Sequence, residues 1–417
     1  MRKNGVDREL RPILGGVCAP EGFSANAVSC GFSTLVSAAE RATKNDLALI
    51  VAEKVCPTAC VYSTAMVQGS PIAVTKKHLK NNRAQAILVN SGVANVFQEN
   101  GEKLAGAVCK ELSKRSKIDI EDIVIASTGK IGEKLTEQPF FEGVPRLLEE
   151  LAATDEKSRA VVEAIRTTDG VAQQLSYEFY IGDVLCRIGA AFKGNACTCP
   201  NMATTLAFIT TDVNITSAML QRALSAEVKD SFNLLNLDNV ASPNDMVCIM
   251  ANGRAGNYQI GATDSEYKKF CYALHEVAKE ICLTIASGVS ADGTKNGKTF
   301  ICKAAGGKSK QIVRVIAKRL VGSDTLKKCL TGNKAALESM IFAVVDGANG
   351  ADTSSMEICV SSENGNVTVC EDGKPLLYST MAMERIIQAG TVTLRVDFKE
   401  GNYAAEAFGR LESVNKN

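Results

Sequence analysis

Apolar positions along this chain follow two spacings, one strand-like and one helical. Val184, Cys186, Ile188 and Ala190 alternate with other residues and predict a strand, and the unbroken run Leu206–Ile209 predicts a buried one. Asp46–Val51 reads as a further buried strand. Ala86–Asn90 is a strand that ends in the turn Ser91-Gly92-Val93-Ala94-Asn95. Ile123–Ala126 is a short strand running into Ser127-Thr128-Gly129-Lys130-Ile131-Gly132. Between Leu14 and Gly31, glycine and proline positions predict turns between short strands. Met246–Met250 is a strand opened by the turn Ser242-Pro243-Asn244-Asp245 and closed by Ala251-Asn252-Gly253.

The helical spacing appears elsewhere. Leu104, Val108 and Leu112 recur every four residues and predict a helix over 101–117. Helices are also predicted over 147–166, 218–232 and 312–320. A strong one over 267–286 carries Phe270, Leu274, Val277, Ile281 and Ile285 on one face as core. Met340–Val345 reads as strand-like. Met356–Val360 and Val367–Cys370 form a hairpin around Asn364-Gly365, and Thr391–Phe398 alternates as a strand half facing water.

One stretch fits neither spacing. Lys193-Gly194-Asn195-Ala196-Cys197-Thr198-Cys199-Pro200-Asn201-Met202-Ala203-Thr204-Thr205 lies between two predicted strands and suits neither strand nor helix. A small hydroxyl residue opening a buried strand is where an N-terminal nucleophile sits when a chain is cut before it. The chain has two histidines, His78 and His275, and neither lies in a recognisable catalytic motif. A threonine at a new N-terminus needs neither, because its α-amino group, with an ordinary pKa of about 7.7–8.0, serves as the base.

Lys193, Gly194, Pro200, Asn201, Met202, Ala203 and Thr204 stand at the spacing of the processing site of ornithine acetyltransferases, the glutamate N-acetyltransferase family. That site typically reads Lys-Gly-Ser-Gly-Met-Ile-x-Pro-Asn-Met-Ala-Thr, and this segment closely resembles it. Gly15-Gly16-Val17-Cys18-Ala19-Pro20-Glu21-Gly22-Phe23 and the Asp46-Leu47-Ala48-Leu49 segment are similar to family patterns, as are Ser242–Asp245 and Ala251–Gly253 in order. The resemblance is close over roughly 12–300 and loose beyond. It implies an α/β fold of layered sheets and helices in two lobes. It also implies cleavage between Ala203 and Thr204 into an α chain, 1–203, and an associated β chain, 204–417, with Thr204 as the acyl-accepting nucleophile.

The resemblance further implies that Thr128 and Gly129 form the oxyanion hole. A strand running into a small-residue turn can supply the fixed backbone donors such a hole requires. Thr167, with Thr168 beside it in Thr167-Thr168-Asp169, is expected to line the substrate site. Lys193 is expected to reach a substrate carboxylate or developing charge. The function implied is a self-processing N-acyltransferase that moves an acetyl group between amino acids, needs no cofactor or metal, and works as an oligomer of αβ units. At the family's Asp-Gly-Glu-Gly-Ala-Thr-Lys, a gapless count puts Thr294 in place of the substrate-binding glutamate, and the family's C-terminal tail is absent. Altered amine specificity is therefore expected. A self-processing amidohydrolase of N-acyl amino acids and a non-catalytic binding relative are the alternative readings.

Composition narrows the class further. The 417 residues carry a net charge of +1, so no nucleic-acid partner is expected, and no apolar run is long enough for a membrane helix. Fifteen cysteines without tight spacing read as buried thiols in a reducing cytoplasm. Only Cys56/Cys60 and Cys197/Cys199 are close pairs, and neither has the companions of a zinc site; Cys197/Cys199 keep a redox role open.

Overall fold

In a computed structural model the described residues are 10–32, 43–167, 171–194, 205–237, 242–289, 297–331, 337–348 and 350–411. The chain divides into two compact units. The first comprises Met1–Asn195, Asn201–Val228 and Ala241–Ala278; the second comprises Ala196–Pro200, Lys229–Val240 and Lys279–Asn417.

The first unit is built on strands β1 (Arg11–Pro12), β2 (Phe23–Val28), β3 (Leu47–Tyr62), β4 (Arg83–Asn90), β5 (Ile123–Ser127), β6 (Val171–Ile181), β7 (Val184–Gly194), β8 (Leu206–Thr211) and β9 (Met246–Ala251). Their order is β1-β6-β7-β8-β9-β3-β4-β5, with β2 also on β3. The β8/β9 and β4/β5 pairs are parallel and the others antiparallel. Strand β3 serves two partners. Its first half pairs with β2 and β4, and its second half pairs with β9, with an irregularity between Val51 and Cys56.

The central strands are apolar at nearly every position because both faces are covered. Along β3, Leu47 and Leu49 join a core with Leu88, Ile125, Val108, Leu112, Phe140 and Leu147. The alternate residues Ala48 and Ile50 join another, with Val89, Val124, Phe208, Met246 and Cys248. That second core takes side chains from both the β2–β5 and β7–β9 strands, so the sheet folds over through β3. Burial of each large aliphatic chain contributes about 1.5–3 kcal/mol before entropy is charged.

The helix expected over 147–166 is two helices, Gln138–Glu149 and Asp155–Ile165. Leu147 packs into the first core, whereas Val161, Val162 and Ile165 pack into the second, so the chain has to cross between them. The crossing is pinned by Ala152, which exchanges both backbone hydrogen bonds with Ala25, and the second helix is capped by the Thr154 hydroxyl. The stripe predicted on the long helix is buried, and that helix spans Ser265–Ser287.

The second unit holds strands β10 (Lys298–Gly307), β11 (Glu357–Ser362), β12 (Gly365–Glu371), β13 (Lys374–Pro375), β14 (Thr391–Asp397) and β15 (Tyr403–Leu411) in the order β13-β12-β11-β14-β10-β15. The predicted hairpin closes with Ser362 opposite Gly365. Met340–Val345 is not strand-like: it belongs to the helix Leu337–Gly347, which buries Met340 and Val344 one turn apart. Among the described residues no helix is long and apolar enough to cross a membrane.

Candidate active site

The parallel strands β4 and β5 end side by side, with Asn90 opposite Ser127. The turns that follow are stitched together. Asn90 accepts the Thr128 N–H at 2.9 Å on its carbonyl and the Ser127 hydroxyl at 2.6 Å on its side chain, and its amide donates to the Val93 carbonyl at 3.0 Å. Lys130 donates to the Gly92 carbonyl and accepts from Ala94, each at 2.9 Å. Gly129 sits at φ +128°, and a Cβ there would lie 2.2 Å from the Gly92 carbonyl carbon. Only glycine fits such a backbone in such a space.

Thr128 is buried, and among the described residues no acceptor takes its hydroxyl or the Gly129 N–H. Two adjacent donors held in a rigid turn can bind a carbonyl oxygen as it gains negative charge.

The same cluster contains the start of β8. The Thr205 N–H donates to Asp245 Oδ1 at 2.7 Å, and the Thr205 carbonyl accepts the Met246 N–H at 3.0 Å. Asp245 is completely buried, and desolvation pushes its pKa well above the usual carboxylate range. The Thr205 backbone, the Lys193 ammonium and the Ser242 backbone pull the other way. Lys193 is itself buried, on β7 opposite Leu206 of β8. Asn244 connects this group to the oxyanion-type turn: its side-chain amide donates to the Ala94 carbonyl at 2.7 Å, and Ala94 is bonded in turn to Lys130.

The turn that carries Thr128 and Gly129 is thus linked through Ala94 to Asn244, and Lys193 acts electrostatically on the adjacent Asp245. Thr167 is buried just after the Asp155–Ile165 helix, four residues ahead of Val171, which lies opposite Gly194 on β7. Ala203, Thr204, Thr168, Cys197, Cys199 and Thr294 lie outside the described residues.

The remaining motifs have structural explanations. Asp46 accepts the Cys30 and Phe32 N–H groups, and Gly16 lies so close to β7 that a Cβ on Gly189 would touch its carbonyl oxygen at 1.8 Å. His78 Nδ1 bonds the Ile123 carbonyl at 2.8 Å, and His275 faces Glu227 at 3.1 Å. Sequence reasoning gave no role to Asn90, Asn244 or Asp245. The available signal was a lone carboxylate placed directly before six apolar residues, a position that forces it into the interior.

Thirteen cysteines are described, and among the described residues none is disulfide-bonded. Burial pushes the Cys18, Cys56, Cys109 and Cys186 thiols up to about 12, which makes them inert packing groups at neutral pH.

A family model described as the ArgJ family matches residues 31–410, further toward the C-terminus than the motifs alone suggested. The chain is 34% identical over 367 residues to the arginine biosynthesis bifunctional protein ArgJ 1 of Clostridium acetobutylicum, covering 88% of each chain. It is 32% identical to the arginine biosynthesis bifunctional protein ArgJ of Bacillus subtilis, covering 96% of this chain and 94% of that one. A crystal structure of the arginine biosynthesis bifunctional protein ArgJ from Bacillus halodurans matches with 28% identity and a TM-score of 0.40, over 44% of this chain and 92% of that one. On the extent of the family match and the identity to these relatives, this chain belongs to the ArgJ family.

Proposed function

We propose that the chain is a self-processing N-acyltransferase of arginine biosynthesis that moves an acetyl group from N-acetylornithine to glutamate through an ester on Thr204. The observation that carries this reading is the hydrogen-bonded path from the Thr128–Gly129 turn through Ala94 and Asn244 to Thr205, one residue beyond Thr204. It joins the two donors a developing oxyanion needs to the place where the nucleophile is expected. Arginine biosynthesis is the process named for the relatives above, which favours N-acetylornithine and glutamate as the substrates over the altered amine specificity expected from Thr294.

The chemistry closes without a histidine. The Thr204 hydroxyl oxygen attacks the acetyl carbonyl carbon, and its proton passes to the Thr204 α-amine. The oxyanion rests on the Thr128 hydroxyl and the Gly129 N–H. Collapse breaks the carbon–nitrogen bond and returns the proton to the departing ornithine amine, leaving acetyl-Thr204. The glutamate amine then attacks the ester along the reverse path and leaves as N-acetylglutamate. Lys193 and Thr167 hold the amino-acid part of the substrate.

Cleavage between Ala203 and Thr204 supplies the α-amine and leaves chains 1–203 and 204–417 joined through the β7/β8 ladder. Its buried thiols suit a reducing compartment such as the cytoplasm.

Intact mass of the purified protein, beside Thr204→Ala, tests this. Two fragments meeting at the 203/204 bond, one uncut species in the variant, and an added acetyl mass on the second fragment after incubation with N-acetylornithine are expected. One uncut chain in both samples would refute it. Free acetate without transfer to glutamate would convert it to the amidohydrolase reading.

A further inference from the structure

The segment Ser242–Asp245 is a bracket fixed on both sides. The Ser242 carbonyl accepts the Ser63 hydroxyl, the Pro243 carbonyl accepts the Gly69 N–H, Asn244 holds Ala94, and the Asp245 carbonyl accepts the Ser63 N–H. Gly69 approaches so closely that a Cβ there would meet Asn244 Oδ1 at 1.8 Å. From this bracket the Asp245 carboxylate reaches Thr205. Both polar backbone groups of Thr205 end on the Asp245–Met246 pair, one on the Asp245 carboxylate and one on the Met246 N–H.

We propose that Asp245 is a positioning residue. By accepting the Thr205 N–H it fixes the backbone immediately after the proposed nucleophile, for chain cleavage and for acyl transfer alike. The proposal rests on the Thr204 reading above.

Burying the Asp245 side chain is costly, and its Oδ2 is enclosed with no hydrogen-bond partner among the described residues. What the side chain supplies is one acceptor oxygen, held 2.7 Å from the Thr205 N–H by a bracket fixed on both sides. It acts on the one backbone N–H whose peptide plane also carries the carbonyl of residue 204. Asp245 touches no reacting atom; it acts through Thr205.

The test uses the full chain as wild type, Asp245→Ala and Asp245→Asn. The cleavage time course is followed by intact mass, and the appearance of the acetyl adduct, kcat, KM and melting temperature are measured. For Asp245→Ala, cleavage rate and kcat fall together by roughly 10²-fold, the order expected when a reacting group shifts by about 1 Å, while KM stays near wild type. Asp245→Asn, which keeps a carbonyl oxygen for the Thr205 N–H, recovers most of both rates.

Near-wild-type cleavage and kcat in Asp245→Ala would overturn the proposal, as would an Asp245→Asn protein that is folded yet as slow as Asp245→Ala. Should Asp245→Ala not fold, Asp245→Asn decides alone on the same rates. A wild-type chain that is never cut sinks the Thr204 reading itself; a wild type and an Asp245→Ala that both cut normally sink only the role of Asp245.

Discussion

Gly129→Ala is the most direct perturbation of the candidate oxyanion turn, and Gly132→Ala, three residues away, is its control. Both glycines have positive φ, +128° and +81°. At Gly132 a Cβ meets nothing within 4 Å, so the cost is backbone strain alone, about 1–2 kcal/mol. At Gly129 the added carbon lies 2.2 Å and 2.3 Å from the carbonyl carbon and oxygen of Gly92, and 2.7 Å from the Val93 nitrogen. Reaching ordinary carbon contact at about 3.5 Å means opening the turn by more than ~1 Å.

Three backbone hydrogen bonds of 2.9 Å hold it shut, from Thr128 to Asn90, from Lys130 to Gly92 and from Ala94 to Lys130. Strain plus the loss of one or two of them gives about 3–5 kcal/mol. At ~2–4 °C per kcal/mol for a domain this large, Gly129→Ala should melt roughly 10 °C below wild type and Gly132→Ala within about 5 °C of it. Displacing the Gly129 N–H should also cost ~10²–10³ in kcat, measured at a temperature where both variants are folded. The assay is a thermal melt by circular dichroism with acetyl transfer on the same samples. A Gly129→Ala protein that melts no lower than Gly132→Ala and transfers acetyl at the wild-type rate would refute the reasoning.

Asp212, at the end of β8, accepts the Arg187 N–H at 2.7 Å and the Glu21 N–H at 3.3 Å, and burial raises its pKa to about 6. A raised carboxylate pKa means the native state binds the proton more tightly, so its contribution is present below pH ~4 and is lost as pH rises through about 6. Denaturant melts of wild type against Asp212→Asn should show the gap move in the variant's favour by about 2 kcal/mol between pH 4 and pH 7; a gap independent of pH would contradict the assignment. Thr154→Ala removes the cap that accepts the Lys157 N–H at 3.2 Å and should cost about 1 kcal/mol, seen as a small drop in melting temperature with acetyl transfer unchanged.

How much could be read ahead varied with the range over which each residue acts. Strands β4, β5, β8 and β9 announced themselves because burial on both faces leaves no polar position to confuse the pattern. β3 was read only to Val51, because Glu53 and Lys54 interrupt the apolar run. The strand in fact carries on through an irregularity in its pairing with β4, with those two charges exposed where it passes from one set of partners to the next. The Leu337–Gly347 helix was misread because a continuous apolar run fits either period; packing decided for the helix by burying Met340 and Val344 and leaving Phe342 exposed.

At the site, Thr128 and Gly129 were visible as a strand leading into a small-residue turn. Asn244 and Asp245 were seen only as that, a turn, since their partners Ala94 and Thr205 lie 150 and 40 residues away. No local pattern encodes such a partner.

The order of strands carries a consequence for timing. β8 and β9, from beyond the proposed cut, are inserted between β7 and β3, from before it. Neither segment can complete the sheet alone, and the β3/β9 pairing, from Thr58 opposite Met250 to Tyr62 opposite Met246, spans most of the first unit's sequence. Long-range closure of this kind is slow. A peptide bond broken early would turn that closure into a search between two separate molecules, each with open strand edges exposed to aggregation. A bond that breaks only when the Ser242–Asp245 bracket has seized Thr205 breaks after the search is over. In such a protein maturation doubles as a folding checkpoint, and a cut chain is a record that the sheet had already formed.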